Sequence, residues 1–200
     1  MHEEREEMTS SIQPVVLDDA YRLITHGPTI LVSARHGGID NVMAAAWACA
    51  LDFSPPKLTV VLDKITRTRE LIEASGAFVI QVPTVAQARL VHEAGTRSLH
   101  QDPNKLQNCG VELLRFAGHD LPFVAGCSAW LACRLVPEPR NQDLYDLFIG
   151  EVVGAWADER VFSDGRWHYE RADPAWRNLH HVAGGRFYAT GEALDVPTAP

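Results

Sequence analysis

Several familiar signatures are missing from this chain. No C-x-x-C pair occurs among its four cysteines, Cys49, Cys109, Cys127 and Cys133, so a zinc site of the common kind is not expected and no metal ligand set is assigned. Neither a G-x-G-x-x-G fingerprint nor a Walker A loop is present, so any nucleotide must be held some other way. The longest apolar run, residues 42–51, is about half the length a bilayer-spanning helix needs, which argues against a membrane partner. Repeats and low-complexity tracts are absent. Positive charge is scarce as well: 18 Lys and Arg against 26 Asp and Glu leave a net charge of -8, unsuited to nucleic acid or an anionic membrane as the main partner. Residues 1–10 are acidic and polar, without an apolar core behind a basic start, and a cytoplasmic location is the default expectation.

What remains is the composition of a globular protein. At 200 residues, 46% hydrophobic and 22% charged, the chain can bury a sizeable core, and a single domain over 1–200 is expected, with 1–13 as a flexible tail. Residues 18–25 read as a short helix, and 29–33, 57–62, 78–82, 125–136, 144–156 and 185–189 as strands. Residues 84–94 have helical spacing, and 96–108 are polar and turn-rich, a plausible loop over a ligand. Many strands without regular βαβ alternation favour a mainly β fold with helical additions, a β-barrel, over a doubly wound sheet. Cys127 and Cys133, six residues apart, are expected on one face of a strand as buried reduced thiols, in preference to redox chemistry. His180-His181 beside Gly184-Gly185 reads equally as part of a site or as an exposed turn.

The chemistry concentrates between Asn41 and Arg69. Lys64, Arg67 and Arg69 crowd the start of a helix that reads Arg69-Glu-Leu-Ile-Glu-Ala-Ser75 and stops at Gly76, with Thr66 or Thr68 as its cap. Cations oppose the partial positive charge of a helix N-terminus by a few tenths of a kcal/mol when exposed, roughly the low end of the dipole effect. A bound anion reverses that sign, so free N–H groups, a threonine hydroxyl and two or three cations make a compact phosphate site. The plainer reading leaves these side chains in solvent or paired with Glu70 and Glu73. Upstream, alanines at 44, 45, 46, 48 and 50 leave a backbone that a flat ring can approach closely. Whether this Ala-rich run is strand or helix, or simply packed core, periodicity leaves open.

The motifs Asn41-Val-Met-Ala-Ala-Ala-Trp47, Phe53-Ser-Pro-Pro56, Asp63-Lys64, Thr68-Arg-Glu-Leu-Ile-Glu-Ala-Ser75 and Phe78-Val-Ile-Gln-Val-Pro83 resemble, in order and spacing, the flavin reductase-like FMN-binding split-barrel family, on its flavoredoxin side. Gly95-Thr-Arg-Ser98 with Asn104-Lys105, Leu147-Phe-Ile-Gly-Glu-Val152 and Leu179-His-His-Val-Ala-Gly-Gly-Arg-Phe-Tyr188 extend the resemblance over nearly the whole chain. It implies a split β-barrel, usually a homodimer, with FMN near the subunit interface. The isoalloxazine ring would lie on the main chain around Asn41, Val42, Met43, Ala44, Ala45, Ala46 and Trp47. The phosphate would lie at Lys64, Thr68 and Arg69, with Asp63, Thr66, Arg67 and Ser98 also counted in the cofactor site. Catalysis would rest on the flavin, with no side chain as acid or base.

The chain departs from the family pattern at Ala46, where a hydroxyl residue is common, and at Gln81, Arg67 and Ser98-Leu99. The implied activity is an NAD(P)H:flavin oxidoreductase, using NADH or NADPH and delivering to a flavin or an electron-acceptor protein. The alternatives are a flavoredoxin-type carrier without direct nicotinamide activity, or a split barrel that binds haem or nothing.

Overall fold

Alternation of side chains sorts the strands into two packed faces. The computed structural model describes residues 10–196. Strands β1 (Ile12–Pro14), β2 (Ile30–His36), β3 (Ile39–Ala45), β4 (Ala48–Phe53) and β5 (Pro56–Val61) lead into helix α1 (Arg67–Ser75), strand β6 (Ala77–Val82), helix α2 (Ala88–Thr96) and the single-turn α3 (Lys105–Asn108). Then come β7 (Leu113–Leu114), β8 (Phe123–Val124), β9 (Ala129–Val136), helix α4 (Pro139–Tyr145) and the long β10 (Leu147–Asp158). Two hairpins follow, β11 (Phe162–Ser163) with β12 (Arg166–Trp167) and β13 (Leu179–Ala183) with β14 (Arg186–Ala189).

The main sheet is antiparallel in the order β3-β2-β6-β9-β10-β5-β4. β10 changes neighbour along its length. Its first half pairs with β5 and its last residues with β1, and a register shift between Val152 and Gly154 bends it against β9. Inward residues such as Ile30, Val32, Phe78, Ile80, Leu131 and Cys133 pack with Leu71 and Ile72 of α1 in one core. The alternate residues Leu31, Val79, Trp130 and Ala132 pack on the opposite face under Val91 and Ala94 of α2. Burial of side chains from both faces at roughly 25 cal/mol per Å² of apolar surface is the main force holding this sheet closed.

The local expectations fare unevenly. Helix α1 stops as expected at Gly76, whose φ of 70° needs glycine, with its N–H donating to Ile72 O at 2.8 Å. The Ala-rich run resolves into two strands, β3 and β4, broken at Ala46 and Trp47. Residues 144 and 145 close α4 and do not begin a strand, because Pro139 at its first turn starts a helix that runs that far. The expected helix at 18–25 is a 3-10 helix over Leu17–Leu23. Cys127 precedes β9 and packs on the outer face, whereas Cys133 packs inside; both are buried and free, but they do not share a face. The tail expected over 1–13 is shorter at its inner end: Ile12–Pro14 pairs with β10, and Ser11 Oγ donates to Asp158 Oδ2 at 3.0 Å. Residues 1–9 lie outside the described residues. Among the described residues no helix is long and apolar enough to cross a membrane.

Candidate functional site

Strand β3 is the terminal strand of its sheet, and α2 packs beside it. The approach is close because Gly95 faces Ala44: a Cβ added to Gly95 would lie 3.2 Å from Ala44 Cβ. Two cavities open along this seam and share Gly95 and Thr96 in their walls. The first, about 180 Å³, is polar and cationic, with Asn41, Thr66, Arg67, Thr68, Arg97, Ser98 and Lys105 among its lining residues. The second, about 210 Å³, is mainly apolar, floored by Ala44, Ala45 and Ala46, with Val91, His92, His181 and Phe187 around it.

The polar cavity holds groups that lack partners. Asn41 is buried, and its Nδ2 donates to Thr68 Oγ1 at 2.9 Å. Its Oδ1 is buried with no partner, and an acceptor in that state costs about 1–3 kcal/mol until something donates to it. Thr68 Oγ1 accepts from Asn41, which frees its own hydrogen for a ligand oxygen. Lys105 is 2% exposed, lines the cavity, and has no hydrogen bond or ion pair from its side chain. Burial pulls its ammonium below the usual lysine range, partly opposed by Cys109 and Asp102. A buried lysine that shares the Asp102 carboxylate with Arg97, and faces a cavity with threonine and serine hydroxyls, is matched by an anion.

Not every expected residue is there. Arg69 begins a buried clamp instead of a phosphate contact. At 5% exposure its guanidinium donates to Leu62 O (3.1 Å), Asp146 Oδ1 (2.5 Å), Gln142 O (3.0 Å) and Glu73 Oε1 (2.9 Å), and lies over the Phe148 ring. Four of its five N–H donors are taken, so the side chain ties α1 to the end of β5 and to α4. Lys64 Nζ donates to Asp143 O at 2.6 Å and does not line either cavity. Asp63 caps its own turn, accepting from Ile65 N at 3.0 Å. Thr66 is the N-cap residue by position, but its hydroxyl donates to Asp63 O at 2.8 Å and caps nothing. Arg67 pairs with Glu70, as the plainer reading had it, while still lining the polar cavity. Val42 is buried in the outer-face core, and Trp47 is 74% exposed beyond the cavity walls. Asn41, Met43, Thr66, Arg67, Thr68 and Ser98 are brought together in the polar cavity, and Ala44, Ala45 and Ala46 in the apolar one.

Arg97 and Lys105 stand in the motifs that carry the resemblance, but nothing in the sequence assigned them a place in the cofactor site; they come from the turn-rich 96–108 segment folded back over α1. His92 on α2 and His181 on β13 were likewise invisible as neighbours. Of the departures, Gln81 is a buried scaffold residue whose side chain donates to Ser33 Oγ at 3.0 Å and accepts from Val124 N.

Residues 21–176 match the family model described as flavin reductase like domain. Protein YddH of Escherichia coli is 41% identical over 184 residues, spanning 90% of this chain and 96% of that one. Among solved structures, the FMN-binding domain of a flavin reductases-like enzyme from Shewanella baltica shares 68% identity, with a TM-score of 0.92 over 93% of this chain and 97% of that one. Flavoredoxin of Desulfovibrio vulgaris shares 28% identity, with a TM-score of 0.71 over 85% of this chain and 90% of that one. With the sheet described above, these likenesses establish the fold as a mostly β split barrel with a few helices.

Proposed function

The chain belongs to the flavin reductase-like domain family, and on that premise we propose that it binds FMN along the β3 seam and acts as an NAD(P)H-dependent flavin oxidoreductase. The observation that carries this reading is Lys105, a buried residue whose side chain has no hydrogen bond or ion pair among the described residues, facing a cavity that also presents Thr66, Thr68, Arg67, Arg97 and Ser98. A phosphate supplies an acceptor for Lys105 and for the free hydrogen of the Thr68 hydroxyl, and adds a counter-charge beside Arg67 and Arg97, which keep their partners Glu70 and Asp102. The orphaned Asn41 Oδ1 needs a donor, which a phosphate lacks and a ribityl hydroxyl provides. Beyond the shared wall at Gly95 and Thr96, the methyl-only surface of Ala44, Ala45 and Ala46 accommodates a flat ring. The donor set and the order of the two cavities therefore fit FMN, from phosphate to ring.

When bound, FMN supplies the redox chemistry by taking up hydride at N5. The protein's part is to hold and orient. Lys105 and the Thr68 hydroxyl would fix the phosphate end, the Arg69 clamp fixes the turn that carries Thr66 and Thr68, and Gly95 sets the width of the seam. Reductant would be NADH or NADPH, and the acceptor a free flavin or an acceptor protein. The S. baltica protein, described as FMN-binding, supports the cofactor.

The test is the visible spectrum after saturation with FMN and desalting, followed by anaerobic NADH and then NADPH. Retained flavin bands that bleach within seconds support the reductase. Retained bands that resist both nicotinamides move the assignment to a flavoredoxin-type carrier, and loss of all colour on desalting overturns FMN binding itself.

A second copy of the chain is the proposed partner. Along the edge strand β4, Cys49, Leu51 and Phe53 alternate outward, and Trp47 stands exposed at its start, so one apolar face remains without cover. Sedimentation at micromolar concentration is expected to show a dimer, and Leu51→Asp a monomer; a wild-type monomer refutes this.

A further inference from the structure

The apolar cavity contains two titratable side chains, and both are imidazoles. His92 comes from α2 and His181 from β13; no carboxylate, lysine or arginine is among the described residues that line it. His181 is held at three points. Its backbone N–H donates to Thr29 Oγ1 at 2.7 Å, its Nε2 meets Gly184 O at 3.0 Å, and its ring packs edge-on against Phe187 at 5.3 Å. A carbonyl oxygen only accepts, so Nε2 carries the hydrogen in the neutral ring and Nδ1 is the basic nitrogen. Across the Gly184-Gly185 turn, the His92 ring lies against Gly185, whose added Cβ would be 3.6 Å from Cε1. The side chain of His92 has no hydrogen-bond partner among the described residues.

The nearby charges have partners of their own, though the Glu93 carboxylate also feels the His92 ring. On α2, Glu93 pairs with Arg89 at 2.8 Å, and just beyond it Arg97 pairs with Asp102 at 3.6 Å. On the hairpin, His180 turns to Gly27 O and Thr190 Oγ1, and Arg186 is exposed. His26 is directed at Asn178. β3 contributes only alanine to this wall.

We propose that His92 and His181 form a proton-holding pair that sets the redox balance of the cofactor, favouring its reduced form when the imidazoles are protonated. This rests on the FMN reading above. Oxidised flavin is neutral at the ring; two electrons and one proton give an anion with charge near N1, and a second proton neutralises it. An imidazolium beside that anion attracts it; His92 and His181 are themselves exposed, so solvent screens the pair from one side while the alanine methyls and Phe187 exclude water from the other. Protons taken up by the pair on reduction make the potential fall more steeply with pH than the flavin alone dictates.

The experiment is the midpoint potential of the FMN-loaded protein between pH 6 and 8, with dithionite supplying the electrons, for wild type, His92→Gln, His181→Gln and the double variant. Glutamine keeps polarity and does not titrate. Between these pH values, the wild-type ratio of affinities for reduced over oxidised FMN is expected to fall at least tenfold more than in the double variant, which is about 30 mV for a two-electron couple. Parallel potential–pH lines in all four proteins would overturn the proposal while leaving FMN binding intact. FMN lost from the wild type on desalting would sink the cofactor reading first. Thermal unfolding of the apo variants checks that each is folded, and single variants with intermediate slopes apportion the effect between the two residues.

Discussion

Replacing Lys105 with methionine separates binding from folding by sign. Lys105 is 2% exposed and has no ion pair among the described residues; burial outweighs the attraction of Asp102 and draws its proton affinity down, so in the ligand-free protein its charge is a cost. Methionine keeps the length and helix propensity at the start of α3 while removing that cost. Apo Lys105→Met is therefore expected to unfold at the same temperature as wild type or higher. FMN binding moves the other way. A charge-assisted contact to a phosphate contributes about 1.5–3 kcal/mol, and 1.4 kcal/mol is tenfold, so FMN should weaken by roughly 10- to 150-fold. Riboflavin, which has no phosphate, should bind both proteins within about twofold, inside the usual scatter for an uninvolved site. Fluorescence titration with both flavins is the assay, and thermal denaturation of the apo proteins the control. Equal weakening of both flavins, or none of FMN, refutes the phosphate assignment. The wild-type preference for FMN over riboflavin should also shrink as pH rises and the ammonium deprotonates, and the variant should lack that trend.

The Arg69 clamp gives a contrasting pattern: Arg69→Ala strips partners from two carboxylates and two carbonyls, and should cost about 3–5 kcal/mol in urea unfolding, with FMN and riboflavin weakened alike; FMN-selective weakening would return Arg69 to the phosphate. Lys64→Ala should leave both flavins unchanged within twofold or so, checked in the same titration. His26 is held down to about 4 by burial from its ordinary 6.5. Between these values the unfolded chain binds a proton that the folded chain refuses, so stability is complete above pH 6.5 and falls as pH drops toward 4, by at most about 3 kcal/mol; His26→Gln should flatten that slope in urea titrations, and an unchanged slope assigns it elsewhere. Gly95→Ala gains about 1 kcal/mol of helix propensity and loses a similar amount to crowding against Ala44, so the melting temperature should hardly move while FMN binding weakens severalfold. Adding Ala44→Gly should restore affinity, and its failure to do so refutes the seam-width account.

Local signals carried far in this chain and long-range ones did not. Gly76 marks the end of α1 because only one residue type sits easily at that φ, and the two core faces follow from alternation along β2, β6 and β9. That the Asn41 and Thr68 regions lie near one another was implied by the resemblance, which set Asn41 under the ring; its direct hydrogen bond to Thr68 was not foreseen. The direction of Arg69 was not. Successive residues on a helix point about 100° apart, so Arg67 and Thr68 meet the cavity while Arg69 turns to α4, and nothing in the run of cations says which. Lys105 stood in a motif of the resemblance without a role, because its burial depends on where the 96–108 segment returns, a tertiary fact. His181 is more than a hundred residues beyond β3 and reaches the cavity only because its N–H bonds to Thr29.

β3 is also an edge strand, and an edge offers unpaired N–H and C=O groups to any chain that drifts past. A cofactor lying along residues 41–46, as proposed above, would take the berth that a foreign strand would otherwise fill. Flavin supply would then bear on colloidal behaviour: the flavin-free protein would carry a bare adhesive border, and refilling the seam would withdraw it.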